Sequence, residues 1–149
     1  MNKAARHHLA ASAFDRAACD IGIVHLGYGA FHRAHQAVYI DSYMAQSGDL
    51  RWGIAAVNLR AAESASFAAF NADQDGYVLK SVASEGDVSL SRIRSHIAFH
   101  DWAQDAATAE DLLTRTSVHM VIITVTESGY YPAPDGTLNL ADPTIAAEI

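Results

Sequence analysis

The stretch Ile21-Gly22-Ile23-Val24-His25-Leu26-Gly27-Tyr28-Gly29-Ala30-Phe31-His32 decides how the rest of the chain is read. Its first six residues are mostly apolar and rich in β-branched side chains, and the run stops at Gly27. It therefore predicts a strand over 21–26 that ends in a tight turn. Beyond the turn the period changes: Ala34, Ala37, Val38, Met44 and Ala45 recur at helical spacing over 33–46, and Gly48 stands where a helix would stop. Strand, glycine turn and helix, in that order, form the opening unit of an α/β sheet.

The alternation continues downstream. Residues 52–59 are a second apolar run, and 61–72 are alanine-rich with Phe67 and Phe70 to anchor one face, so strand and helix are expected again. Two short alternating runs, 77–82 and 88–93, flank Ser84, Glu85, Gly86 and Asp87 and predict a β-hairpin. Residues 101–114 carry Trp102, Ala106, Ala109, Leu112 and Leu113 at helical spacing. The nearly unbroken aliphatic run at 118–125 predicts the third parallel strand, of the kind covered on both faces, with the elements that would cover it expected beyond Ile149. After Glu127 the chain turns loop-like through Gly129, Pro132, Pro134, Asp135 and Gly136, with a short helix after Pro143. The expected fold is α/β: a partial doubly wound, Rossmann-type parallel sheet with a β-hairpin insertion. It would occupy residues 21–149, behind an N-terminal extension at 1–20.

Composition narrows the function. Half of the 149 residues are hydrophobic and 18% are charged, as in folded soluble domains. The net charge of -7, from 17 acidic against 10 basic side chains, argues against nucleic acid as a partner. Cys19 is the sole cysteine, so neither an intramolecular disulfide nor a thiolate metal cage is available. No secretory leader or membrane span is read, and a soluble cytoplasmic protein is expected, with no membrane partner. Of eight histidines, His32 and His35 share the spacing of one helix face; no third ligand accompanies them, so no metal site is expected. Ser42 and Ser128 lack a base partner for a hydrolase.

The first strand-to-helix turn of such a sheet is suited to a pyrophosphate, because backbone N–H groups and the positive end of the helix dipole converge there. Gly27 can take the angles of the turn, and Gly29 removes a side chain that would hold a phosphate off. His32 replaces the third glycine of the usual fingerprint, so a plain strand-to-helix turn is the competing explanation.

Three ordered blocks add to this: HLGYGAFHRAHQ at 25–36, WGIAAVNLR at 52–60 and ITVTESGY at 123–130. Together they resemble the mannitol dehydrogenase family, long-chain polyol and sugar-acid dehydrogenases that include mannonate oxidoreductase (fructuronate reductase). The resemblance implies that Gly27, Gly29, Ala30 and Phe31 form a pyrophosphate loop, with Phe31 and His32 opening the helix; the family's pattern also lacks the third glycine. At the adenosine end stand Asn58, Arg60 and Glu63, and Glu63 matches the acid that holds the ribose hydroxyls and repels the extra phosphate of NADP. The Arg60 guanidinium equally suits a 2′-phosphate; NAD is the expected cofactor. Thr124, Thr126 and Glu127 would border the nicotinamide, although strand propensity explains the threonines and a cap explains the glutamate. The implied reaction is hydride transfer between NAD and a secondary alcohol, mannitol with fructose or mannonate with fructuronate. In the family a lysine, with asparagine and histidine companions, handles the proton from a helical C-terminal domain. The chain's two lysines, Lys3 and Lys80, match no such setting. No catalytic residue is therefore expected here, and the polyol or sugar acid would be engaged through the missing domain. The alternative is a dinucleotide-binding fragment without activity of its own.

Overall fold

The computed structural model describes residues 9–72, 75–125 and 127–149. Four strands, β2 (Ile21–Leu26), β3 (Gly53–Asn58), β6 (His96–Asp101) and β7 (Met120–Ile123), form an all-parallel sheet in the order β6-β3-β2-β7. A second sheet, ordered β1-β5-β4, joins β1 (Leu9–Ala11) to the hairpin β4 (Tyr77–Val82) and β5 (Val88–Ile93). Five α-helices, α1 (Ala30–Ala34), α2 (Gln36–Ser47), α3 (Ser64–Ala72), α4 (Ala106–Leu113) and α5 (Pro143–Ala146), and four short 3-10 turns complete the described residues. No helix among the described residues is long and apolar enough to cross a membrane.

The parallel sheet is doubly wound because the side chains of β2 and β3 alternate between two cores. Ile23 and Ile54 pack with Ala37 of α2 and Ile93 of β5 on one face. Val24, Ala55 and Val57 pack with Ala109 and Leu112 of α4 on the other. Ile23, Val24, Ile54 and Leu112 are fully buried, and each large aliphatic removed from water contributes about 1.5–3 kcal/mol. Helix ends follow local chemistry. Gly48, at φ 72°, closes α2 with its N–H on the Met44 carbonyl, and Asp105 caps α4 by accepting from the Thr108 N–H at 3.0 Å.

Three expectations change. The helix expected over 101–114 does not start at Asp101, because His96–Asp101 is the strand β6, paired with β3. Its histidines and Asp101 hide the apolar pattern, and the helix that follows is confined to Ala106–Leu113. Residues 118–125 supply the fourth parallel strand rather than the third, and β7 lies across β2 from β3. One face of that strand is open, as expected of a strand whose cover lies elsewhere: Val121 and Ile123 are 51% and 55% exposed. Aliphatic content records what the strand's faces are made of, not what covers them. Finally, the first helix begins earlier than expected, at Ala30, and breaks at His35. Within the stretch read as an extension, Leu9–Ala11 runs parallel to β5 and Phe14 is buried.

Candidate functional site

The order β6-β3-β2-β7 reverses the direction of winding between β2 and β7, and open α/β sheets bind ligands in the crevice outside the strand ends at such a point. A cleft of about 440 Å³ lies there, within the roughly 300–1,000 Å³ common for ligand sites. Leu26 to Gly29 line it from the end of β2, Asn58 to Arg60 from the end of β3, and Ile123 to Val125 from the end of β7. A smaller hollow of about 260 Å³ between α3 and α4 contains none of the expected site residues.

The glycine turn is built for close approach. Gly27 sits at φ +102°, the left-handed region that glycine tolerates, and its N–H donates to the Val57 carbonyl at 2.7 Å. Gly29 is the N-cap of α1, and a methyl group built on it would meet no atom within 4 Å. The space above it is open, while the first N–H groups of the helix have no intrahelical carbonyl to satisfy them. These features fit an anion of pyrophosphate type.

The expected residues separate into two sets. Gly27, Gly29, Asn58, Arg60, Glu63 and Thr124 share the cleft. Ala30 and Phe31 are exposed on α1 and do not line it; Phe31 instead stacks on His35 with ring centroids 4.4 Å apart. His32 faces inward and is 1% exposed. Thr126 lies outside the described residues, and Glu127 is placed by its backbone, at the start of the short 3-10 turn Glu127–Tyr130.

Asn58 is buried and its amide is engaged in holding the β3 turn. It accepts from the Arg60 N–H at 3.2 Å and donates to the Arg60 carbonyl at 2.9 Å and to Asp101 at 3.0 Å. Hydrogen bonds from Ser64 and then Asn58 hold the Asp101 carboxyl below its ordinary range. On the rim, Arg60 Nη1 and Glu63 Oε1 are 3.3 Å apart and both side chains are largely exposed.

A feature missed in the sequence lies beneath the turn. His25 and His32 stack with ring centroids 3.5 Å apart, and His32 Nε2 is 2.8 Å from His96 Nε2. His32 Nδ1 reaches Gln36 at 2.8 Å, and the His25 nitrogens reach the Gly27 carbonyl at 2.9 Å and the Thr124 hydroxyl at 3.2 Å. Tyr28 closes the cluster edge-on against His96, Phe67, Phe70 and Phe99, and burial raises its phenol to about 12. The only available signal was the recurrence of histidine at 25, 32 and 96, in two segments that sequence alone does not bring together.

Burial lowers all three imidazoles: His25 below its ordinary value, His32 to about 4 with His25 adding repulsion, and His96 well below its usual range. A base depressed on folding binds fewer protons than in the unfolded chain. Its stabilisation is therefore complete above the unfolded pKa of 6.5 and is lost as pH falls toward about 4, at about 1.4 kcal/mol per unit of depression. Chemical denaturation is expected to require less urea at pH 5 than at pH 7.5. Equal midpoints would mean that the cluster is charged in the folded protein.

The profile of the mannitol dehydrogenase Rossmann domain matches residues 21–149. D-arabinitol 4-dehydrogenase of Ralstonia nicotianae is 34% identical over 129 residues, and mannitol 2-dehydrogenase of Cereibacter sphaeroides is 34% identical over 138. These alignments cover 85% and 91% of this chain and 28% of each relative, so the chain spans just over a quarter of their length. The solved ternary complex of Pseudomonas fluorescens mannitol 2-dehydrogenase with NAD and D-mannitol superposes with a TM-score of 0.80 at 28% identity, over 94% of this chain and 29% of that one.

Proposed function

The chain belongs to the mannitol dehydrogenase family, and from that premise we propose that it is the NAD-binding portion of a polyol dehydrogenase. One observation carries the proposal: the open backbone at Gly29 and the left-handed turn at Gly27 line a cleft at the switch point of the sheet. NAD, when bound, supplies the acceptor for a hydride leaving a secondary carbinol. This chain's own contribution is to bind and orient. Gly27 and Gly29 admit the pyrophosphate to the backbone, Asn58 fixes the β3 turn, and Arg60 with Glu63 faces the adenosine ribose. The groups that read the polyol and take up its proton lie, on this proposal, in the part of the relatives that the chain does not span.

Polyols are the favoured substrate class because the relatives are named for mannitol and D-arabinitol; mannonate with fructuronate is the finer alternative. Titration of the chain with NAD, and an activity panel of hexitols, pentitols and hexonates on a protein spanning the relatives' full length, test both levels. Absence of NAD binding would overturn the cofactor assignment, and oxidation of hexonates alone would transfer it to the sugar-acid branch.

Cofactor choice follows from the rim pair. Glu63 occupies Arg60 and places a negative charge where the extra phosphate of NADP would lie. Glu63→Ala is expected to raise the NADP to NAD ratio of binding constants roughly three- to tenfold, the scale of about 1 kcal/mol from an exposed charge. An unchanged ratio would show that Glu63 does not discriminate.

A further inference from the structure

We propose that His25 is a positioning residue that fixes Thr124 as a hydrogen-bond acceptor toward the cleft. The assignment rests on the dinucleotide reading of the site and goes beyond it, to the polarity of one wall.

The argument starts from the Gly27 carbonyl, which can only accept. His25 Nδ1 lies 2.9 Å from it, so Nδ1 carries a hydrogen. His25 is 1% exposed and stacked on a second imidazole, His32, at 3.5 Å, surroundings that disfavour a charge. In a neutral imidazole with Nδ1–H, Nε2 is an acceptor. Its partner at 3.2 Å is the Thr124 hydroxyl, whose single hydrogen must then point at Nε2. Thr124 lines the cleft, and the oxygen it presents there has lone pairs alone to offer.

The consequence concerns what can sit against the end of β7. A ligand group there has to donate, which a ribose hydroxyl or a carboxamide N–H does and a phosphate oxygen does not. The acceptor wall at Thr124 and the donor N–H groups at Gly29 thus face opposite kinds of ligand atom. A dinucleotide offers both, a pyrophosphate at its centre and donor groups on the flanking ribose.

The test uses imidazole-selective 15N labelling of the protein together with NAD titration. The expected result is an Nδ1–H tautomer at His25 with an unprotonated Nε2 at neutral pH. Thr124→Val should shift the Nε2 resonance and weaken NAD binding roughly five- to tenfold, the scale of one hydrogen bond. Thr124→Ser should restore both. An Nε2–H tautomer, or wild-type affinity in Thr124→Val, overturns the proposal. If the wild-type protein shows the expected tautomer but binds no NAD, the dinucleotide reading fails while the polarity of Thr124 stands.

Discussion

Gly29→Ala is expected to lower NAD affinity by roughly ten- to a hundredfold while leaving the melting temperature where it is. Gly29 has φ -68° and ψ 161°, angles that alanine adopts without strain, and the added methyl group meets no protein atom within 4 Å. Nothing in the fold therefore opposes the substitution. The methyl group would instead occupy the space through which a pyrophosphate reaches the helix N–H groups. Losing charge-assisted hydrogen bonds there costs about 1.5–3 kcal/mol, which is the stated range in affinity. Calorimetric titration and a thermal melt of the same sample check both halves. Unchanged affinity would move the pyrophosphate away from this turn.

The same substitution seven residues earlier should do the opposite. A Cβ on Gly22 would stand 2.0 Å from the Arg51 carbonyl oxygen and 3.2 Å from the Trp52 Cα, where β2 starts beside the approach to β3. Both obstacles are backbone, so neither can swing aside as a side chain would. Overpacking of this severity costs about 3 kcal/mol or more, a large fraction of the stability of an ordinary domain. Gly22→Ala is expected to melt far below the wild type or to accumulate as insoluble protein, while any folded fraction keeps its NAD affinity. A normal melt would show that β2 and the 51–52 backbone have room to separate. The two glycines, one serving a ligand and the other serving the sheet, are indistinguishable by residue type.

Such contrasts explain what the sequence revealed. Strand β2 and both hairpin strands were legible at their observed bounds because period-two apolar runs and turn residues are local signals. Strand β6 was not, since His96, His100 and Asp101 interrupt its apolar residues, and only pairing with β3 makes it a strand. The glycine turn and the Arg60 and Glu63 rim could be named from motif and resemblance. The inward turn of His32 could not, because it depends on His96, which is 64 residues away in sequence and reaches contact only through the sheet. Asn58 was read as a neighbour of the ribose; its engagement with Arg60 and Asp101 is a property of where the β3 turn and β6 end.

The position of β2 also governs how the chain reaches this structure. Its register joins Ile23 to Ile54 on one side and to Met120 on the other, so its second neighbour leaves the ribosome well after its first. During synthesis β2 can dock on β3 early, yet the edge that receives β7 stays open until residue 123 has emerged. Pairings this distant in sequence close slowly because the loop entropy precedes the contacts that reward it. Refolding from urea is accordingly expected to protect amides of β2 and β3 from exchange before those of β7, and the cofactor cleft, which needs both strand ends, forms in the last step.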